Sequence, residues 1–309
     1  MDSTGPILIA GKSGRLAQAL IAEATEQSRH VVAMGRPDLD LLDRASITRT
    51  FADIKPRAIV NASGIVNMEQ AERDPALAFA VNCDAADNLA AAAQASAIPF
   101  VHLSSNYVFD GRKDTPYTEE DATTPISIYG KSKIAGENAV KAADPDAVIV
   151  RTSWLFGPSA GNFVTTTLRH AETNDTLRVV TDQHGRPTEL TDLSRALLHI
   201  TDHRLQGGGE AGIYHVAGRG ETTWFELAQA IFLGWAARGG RMPQLQAITS
   251  AQWGGPAQRP LNGVLDCTKA ERIFGVRLPA WQESLERCLD QIAQSRSVAS
   301  FQQPFGTPR

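Results

Sequence analysis

ILIAGKSGRLAQAL, residues 7–20, joins an apolar strand candidate to a helix candidate through Gly11 and Gly14. Gly11 allows a tight turn after the strand. Gly14 lets the backbone approach a pyrophosphate group at the start of the helix, where free N–H groups favour an anion. Ala17, the third small residue of the pattern, keeps the helix close to the sheet. The stretch therefore predicts a phosphate-binding loop, with an ordinary strand-to-helix turn as the alternative.

Short apolar runs alternate with helical patterns through the first half of the chain. The runs HVVAM, RAIVNAS, IPFVHLSS and AVIVRTS begin at residues 30, 57, 98 and 147. Strands that alternate with helices and are apolar almost throughout predict an α/β fold, a doubly wound parallel sheet with helices on both faces. Such a sheet binds its ligand at the carboxyl ends of its strands.

The alternation becomes irregular after residue 154. We therefore expect a dinucleotide-binding domain over residues 1–154 and 191–218, and a smaller C-terminal substrate-binding lobe over 155–190 and 219–296. Residues 297–309 show no periodicity and are expected to form a tail. Within the lobe, Trp224, Phe232 and Trp235 have the spacing of a helical core stripe.

Composition excludes several classes of protein. The chain has a net charge of −4 and no basic stripe, which argues against a nucleic-acid partner. Its apolar runs are too short to span a membrane, and its N-terminus lacks the pattern of a secretory signal. Cys83, Cys267 and Cys288 show neither the spacing of a metal site nor an even count for disulfides. We expect a cytoplasmic protein without a metal ion.

Polar side chains crowd the end of one predicted strand. In VHLSSNYVFDG, residues 101–111, a strand is followed at once by serine, asparagine and tyrosine. Downstream, YGKSK places Tyr129 and Lys133 four residues apart, on one face of a helix. A nearby ammonium stabilises a phenolate and lowers the pKa of the phenol, so the pair suits protonation of a carbonyl oxygen while hydride arrives from a nicotinamide. Ser105 could hydrogen-bond that oxygen as its charge grows.

With these residues in view, the chain resembles the extended short-chain dehydrogenase/reductases, and among them the dTDP-4-dehydrorhamnose reductase family. The resemblance covers nearly the whole length and includes GKSGRL, SSNYVFDG, PISIYGKSKIAGE, RTSWLFG, VVTDQHGRPT and RPLNGVLD. It implies a Rossmann-type sheet and the NAD(P)H-dependent reduction of a 4-keto sugar nucleotide, which converts dTDP-4-dehydrorhamnose to dTDP-L-rhamnose.

The resemblance also implies a role for individual residues. Tyr129 would be the general acid, Lys133 its partner, and Ser105 the group that stabilises the transition state. The cofactor-binding residues would be Gly11, Gly14, Arg15, Leu16, Arg36, Asp40, Leu41, Gly64, Ile65, Val66, Tyr129 and Lys133. The substrate-binding residues would be Ser105, Asn106, Trp154 beside the sugar and Arg259 on the diphosphate.

Two positions bear on specificity. Asn106 stands where the family usually has Asp, which replaces a carboxylate with an amide that donates as well as accepts. After the second strand, Gly35 stands where an NAD-selective site usually has a carboxylate, and Arg36 offers a charged donor for a 2′-phosphate. We expect NADPH as the cofactor, with NADH as the alternative. The alternative for Arg36 is that its side chain simply points to solvent in a turn set by Pro37.

Two other functions stay open at the level of sequence. One is a related nucleotide-sugar ketoreductase with another sugar or stereochemical outcome. The other is a non-catalytic, NADP-binding regulatory subunit that resembles the β subunit of methionine adenosyltransferase. Retention of Ser105, Tyr129 and Lys133 favours catalysis. The oligomeric state does not follow from the sequence, and a homodimer is kept as an expectation.

Overall fold

The computed structural model describes residues 5–301, with side chains up to residue 296. The strands are β1 (Ile7–Ala10), β2 (Val31–Met34), β3 (Ala58–Asn61), β4 (Phe100–Ser105), β5 (Val148–Thr152), β6 (Leu155–Phe156), β7 (Thr176–Val180), β8 (His184–Gly185), β9 (Thr188–Glu189), β10 (Gly212–His215), β11 (Thr222–Thr223) and β12 (Gln244–Ile248). The helices are α1 (Arg15–Glu26), α2 (Arg44–Ile54), α3 (Met68–Arg73), α4 (Pro75–Phe79), α5 (Ala85–Ala95), α6 (Ile128–Ala143), α7 (Phe163–Thr173), α8 (Leu190–Leu205), α9 (Trp224–Ala237), α10 (Ser250–Trp253), α11 (Thr268–Phe274) and α12 (Trp281–Phe301).

A parallel sheet of six strands, in the order β10-β5-β4-β3-β1-β2, forms the centre of the molecule. The chain moves outward in one direction from β1 to β2 and in the other from β3 to β10. The connections therefore diverge between β1 and β3, and a crevice forms at the carboxyl ends of these strands. The predicted doubly wound parallel α/β fold is confirmed.

Both faces of the sheet are buried because successive side chains of a strand point to opposite sides. Ile7 and Ile9 pack with α1 and α8, whereas Leu8 packs with α2 and α5. The strands consequently read as continuous apolar runs in the sequence, as expected for a parallel sheet covered twice. Helix α6, which carries the Tyr–Lys pair, begins at Ile128 because the Ser127 side chain accepts from the Gly130 N–H.

The Ala-rich stretch at residues 74–96 is not one continuous α-helix, although alanine is the strongest helix former. Between α4 and α5 it contains one π-helical segment, Ala80–Asp84. Asn82 in this segment accepts from the Ile65 N–H at 2.8 Å and donates to the Ile65 carbonyl at 3.1 Å. The wider turn thus directs an amide side chain into the sheet crevice, which is a common use of π-helical turns.

Helix α7 forms from a stretch whose composition does not favour a helix. Its sequence, FVTTTLRHAET, contains a run of β-branched residues that are poor helix formers. A capping box compensates, because Asn162 accepts from the Thr165 N–H and Thr165 interacts in return with the Asn162 backbone.

The small sheets β6-β9, β7-β12 and β8-β11 lie within the segments expected to form the lobe. The lobe has its own core, in which α9 packs against α12 through residues such as Phe232 and Leu289. Ala270 and Phe274 of α11 instead belong to the core beneath β10 and α8. We therefore propose the predicted division with one change, which assigns residues 268–278 to the sheet domain.

The expected tail begins inside a helix, because α12 continues to Phe301. Residues 302–309 of the predicted tail lie outside the described residues.

Candidate active site

The loop after β1 forms an anion cradle at the edge of the crevice. Gly11 has φ +99°, a conformation that a residue with a side chain rarely adopts. A Cβ at this position would also lie 2.9 Å from the Ser63 Cα, so the loop can run this close to the end of β3 only with glycine. Gly14 is the N-cap of α1 and leaves the helix N-terminus uncovered by a side chain. The cradle fits the pyrophosphate of a dinucleotide.

The two residues after Gly14 are placed differently from each other. Leu16 is buried in the core beneath the sheet, so its side chain faces away from the crevice. Arg15 donates to the carbonyl of Gly161 in the lobe. Arg15 therefore links the phosphate loop to the segment between β6 and α7, where it lies beside an expected pyrophosphate.

A cation that the sequence analysis does not single out lies at the end of β2. Lys12 lies against Gly35, since a Cβ at residue 35 would be 3.4 Å from the Lys12 Cγ. It pairs with Asp38, and the hydrogen bond and charge of Lys12 lower the pKa of that carboxyl group. Arg36 is exposed. Lys12 and Arg36 thus both lie at the strand end where a 2′-phosphate would lie. The position of Lys12 between Gly11 and Gly14 was the sequence signal that could have identified it as a candidate cofactor contact.

Two further segments line the expected cofactor crevice. Asp40 accepts from the Leu42 N–H at 3.0 Å, and the carbonyl of Leu41 accepts from Asn88 at 3.0 Å, so this turn is held at the start of α2. The segment Gly64–Val66 is held by Asn82, which also donates to the Ser132 hydroxyl at 2.9 Å. The side chain of Val66, at the end of this segment, is exposed. Asn82 therefore fixes the loop after β3 to α6.

Ser105 and Tyr129 meet at the carboxyl end of β4. Both side chains are buried, and burial raises the pKa of the Tyr129 phenol while a hydrogen bond with Ser105 lowers it, leaving the pKa raised overall. The Tyr107 ring contacts the Tyr129 ring edge-on at 5.8 Å between centroids. The predicted proximity of serine and tyrosine is present, but the pKa of Tyr129 is raised, where the Tyr–Lys spacing alone predicted a lowered value.

Lys133 lies one turn further along α6 and is buried as well. Its Nζ donates to the Leu103 carbonyl at 2.5 Å. Burial lowers the pKa of Lys133 to about 8, and the charge of Glu137 opposes that shift. The ammonium is therefore close to its titration point just above neutral pH.

Glu137 belongs to a buried hydrogen-bonded network beneath the site. The sequence did not predict this network. Arg151 on β5 donates to both oxygens of Glu137, at 2.8 and 2.6 Å, and the Ser104 hydroxyl donates to the same carboxylate at 2.5 Å. The Glu137 and Arg151 side chains are 0% and 2% exposed. A carboxylate thus lies one helical turn beyond Lys133 and is fixed by a two-pronged ion pair.

Asn106 is buried and bridges two parts of the molecule. Its Nδ2 donates to the Gly263 carbonyl at 3.0 Å, and its Oδ1 accepts from the Ser105 hydroxyl at 3.4 Å. A carboxylate could not donate to the Gly263 carbonyl, so the amide suits this contact. This side chain, expected to bind the substrate, lies between Ser105 and the lobe.

Trp154 has φ +47° and stacks on Trp224, with 3.7 Å between ring centroids and 11° between planes. A Cβ at Gly185 would lie 2.4 Å from the Trp154 ring, so the HGRPT segment can cover this ring only with glycine. Trp224 also donates to Gln183 at 3.1 Å. Phe232 and Trp235 are core residues as predicted, but Trp224 faces a cavity.

That cavity, of about 210 Å³, is lined by residues of the lobe. Phe163, Trp224 and Trp253 give it aromatic walls, and Arg178 and Arg259 give it positive charge. Trp253 is 56% exposed. Aromatic faces beside two guanidinium groups suit a nucleobase followed by phosphates.

A larger cavity, of about 790 Å³, lies at the opposite edge of the sheet, lined by Arg57 and Pro99 just before β3 and β4. Lys55 and Arg204 also line it, close to the carboxyl ends of α2 and α8. Cations are favoured at helix C-termini, so their presence there has a structural reason. The predicted catalytic side chains lie at the other edge, and cavity size alone does not identify the site.

Among the described residues there is no cluster of His, Cys, Asp or Glu that could hold a metal ion. No helix in this part of the chain is both long and apolar enough to cross a membrane.

Comparisons with known proteins agree with this geometry. A family model described as the RmlD substrate binding domain matches residues 5–294. The dTDP-4-dehydrorhamnose reductase of Sinorhizobium fredii is 42% identical over 283 residues, which are 91% of this chain and 95% of the relative. A crystal structure of a dTDP-4-dehydrorhamnose reductase from Clostridium acetobutylicum has a TM-score of 0.86 and 33% identity, and covers 93% of this chain and 99% of its own. The Bacillus anthracis dTDP-4-dehydrorhamnose reductase in complex with NADP has a TM-score of 0.85 and 30% identity, with the same coverage of 93% and 99%.

Proposed function

The chain belongs to the RmlD substrate binding domain family, and on this basis we propose that it reduces the 4-keto group of a dTDP-6-deoxy-4-keto-hexose, converting dTDP-4-dehydrorhamnose to dTDP-L-rhamnose. The observation that carries the proposal is that the buried side chains of Ser105, Tyr129 and Lys133 come together at the carboxyl edge of the sheet. The relatives named for this reaction cover most of the chain, which supports the same substrate class.

The roles of the side chains follow from their positions. Tyr129 donates its phenolic proton to the carbonyl oxygen of the sugar, and Ser105 donates a hydrogen bond to the same oxygen as negative charge develops. Lys133 stabilises the phenolate left behind. NADPH, when bound with its pyrophosphate at Gly11 and Gly14, supplies the hydride. Burial of these side chains excludes water. Because water would screen their charges, its exclusion strengthens their electrostatic effect on the reacting group.

The sugar nucleotide would extend from the catalytic residues into the aromatic cavity. We propose that the thymine base lies among Trp224, Trp253 and Phe163, and that Arg259 contacts the diphosphate. Trp154 would flank the sugar through the stacked Trp154–Trp224 pair. The cytoplasmic location and the homodimer remain predictions.

The cofactor is proposed to be NADPH, which agrees with the NADP-bound relative of B. anthracis. We expect kcat/KM to favour NADPH over NADH by about tenfold, because a charge-assisted hydrogen bond to the 2′-phosphate contributes roughly 1.5–3 kcal/mol before solvent weakens it. Arg36→Ala and Lys12→Ala should each reduce this ratio, and Arg49→Ala, an exposed arginine on α2, is the control. A preference for NADH, or a ratio that neither substitution changes, would contradict the assignment.

The pH dependence of turnover should report Lys133. Because its pKa is lowered to about 8, Lys133 is charged below that pH and loses its proton above it. We expect kcat/KM to fall as pH rises through about 8, approaching a tenfold loss per pH unit well above that value. Cofactor affinity, measured over the same pH range, separates this effect from loss of NADPH. A flat profile between pH 7 and 10 would show that the charge of Lys133 is not needed.

The function itself is tested by mixing the full chain with NADPH and dTDP-4-dehydrorhamnose and following the nicotinamide absorbance. Oxidation of NADPH with formation of dTDP-L-rhamnose is the expected result. Turnover with a different 4-keto sugar nucleotide or a different product epimer would favour a related ketoreductase. NADPH binding without turnover on any 4-keto sugar nucleotide would favour the regulatory subunit.

A further inference from the structure

An ion pair connects the lobe to the sheet domain beside the active site. Arg259, in the loop after α10, donates from Nη2 to Glu69 Oε1 at 2.6 Å. Glu69 lies in the first turn of α3, directly after the segment Gly64–Val66 that is expected to line the cofactor. The side chains are 22% and 40% exposed, so the pair is partly withdrawn from solvent but remains reachable.

The pair lies between the aromatic cavity and the catalytic side chains. Arg259 lines the cavity. The charges of Arg259 and Glu69 both act on the partly buried phenol of Tyr107, and the Tyr107 ring contacts Tyr129. A ligand with its base in the cavity and its sugar at Ser105 would therefore have its diphosphate next to Arg259.

The negative charge of Glu69 would repel such a diphosphate. Burial raises the pKa of Glu69, but the hydrogen bond and charge of Arg259 outweigh it, so the pKa is lowered and the group is a carboxylate at neutral pH. A phosphate oxygen that binds the Arg259 Nη2 would meet the Glu69 carboxylate at hydrogen-bond distance from the same nitrogen. Two anions so close repel each other, so the binding of one weakens the hold of Arg259 on the other.

We propose that Glu69 competes with the substrate's diphosphate for Arg259, and that substrate binding exchanges one partner of Arg259 for the other. This inference rests on the proposed function, since it requires a nucleoside diphosphate in the crevice. Glu69 thereby lowers the affinity for nucleotides and sets the KM without touching the reacting carbonyl group. It also favours ligands whose charge is high enough to displace a carboxylate.

Glu69→Gln tests the exchange, because it keeps the shape of the side chain and removes its charge. Binding of thymidine diphosphate is measured by titration calorimetry on the full chain saturated with NADP⁺, together with KM and kcat for the 4-keto sugar nucleotide. We expect the Kd of thymidine diphosphate to fall roughly three- to tenfold, the size of one partly exposed ionic contact. KM should fall by a similar factor while kcat stays unchanged.

Controls separate the exchange from other roles of the pair. Glu271→Gln removes a carboxylate from an exposed ion pair with Arg277 and should leave the Kd unchanged. In an Arg259→Met background, Glu69→Gln should lose most of its effect, because the competition needs the guanidinium group. Unchanged or weaker binding in Glu69→Gln would overturn the proposal and show that Glu69 anchors Arg259 for the substrate. A full gain in the Arg259→Met background would also overturn it, as would an equal gain in Glu271→Gln.

The outcomes also separate this inference from the proposed function. Normal turnover with no gain in nucleotide affinity refutes the exchange and leaves the reductase assignment intact. Tighter binding of thymidine diphosphate without oxidation of NADPH by any 4-keto sugar refutes the reductase assignment and supports the exchange.

Discussion

Tyr129→Phe is expected to lower kcat by roughly 100-fold or more, because the substitution removes the proton donor and leaves the rest of the site in place. Phenylalanine keeps the ring that contacts Tyr107 at 5.8 Å. The phenolic hydroxyl beside Ser105 is lost, so no proton is available for the carbonyl oxygen as its negative charge develops. Steady-state kinetics with saturating NADPH measure the effect, and fluorescence titration should show cofactor affinity almost unchanged.

Tyr214→Phe is the matched control for this substitution. Tyr214 is also buried, on β10 at the edge of the sheet, and its hydroxyl donates to the Glu210 carbonyl at 2.8 Å. The loss of that phenolic group should leave kcat close to the wild-type value. Near-normal turnover of Tyr129→Phe on the true substrate would remove Tyr129 from the mechanism.

Glu137→Gln is expected to lower the free energy of unfolding by about 3–5 kcal/mol, because it leaves the guanidinium of Arg151 buried without a counter-charge. Both side chains are almost fully withdrawn from solvent, and two hydrogen bonds join them. The substitution also removes the charge that opposes the lowering of the Lys133 pKa, so the alkaline loss of activity should move to lower pH. Urea denaturation gives the first effect and the pH profile of kcat/KM gives the second.

Asp87→Asn measures, for comparison, the loss of stability when a solvent-exposed ion pair is removed. Arg44 and Asp87 are 3.3 Å apart with side-chain exposures of 71% and 37%. Such a pair contributes roughly 0–1 kcal/mol, so its loss should barely change the denaturation midpoint. Equal destabilisation by Glu137→Gln and Asp87→Asn would show that burial of the Glu137–Arg151 pair has no energetic consequence.

The sequence predicted best those features that depend on residues close together along the chain. Apolar runs separated by helical periods predict the parallel sheet, since side-chain period and burial on both faces are properties of short segments. The Tyr129–Lys133 spacing places both residues on one helix face without any knowledge of the fold. Helix α7 escapes such reasoning because its β-branched residues are poor helix formers, and the π-helical segment at Ala80–Asp84 because it includes a contact to Ile65, far away in the sequence.

The sequence by itself determined the fold class, the glycine turn at Gly11 and Gly14, and the order of the expected catalytic residues along the chain. The tertiary structure alone decided which distant groups meet: Lys12 with Gly35, Glu137 with Arg151, Asn106 with Gly263 and Glu69 with Arg259. It also decided that the pKa of Tyr129 is raised and that of Lys133 lowered, because burial depends on every element packed around a side chain. A pattern of neighbours along the chain specifies a segment, whereas a site is formed by segments that the pattern leaves far apart.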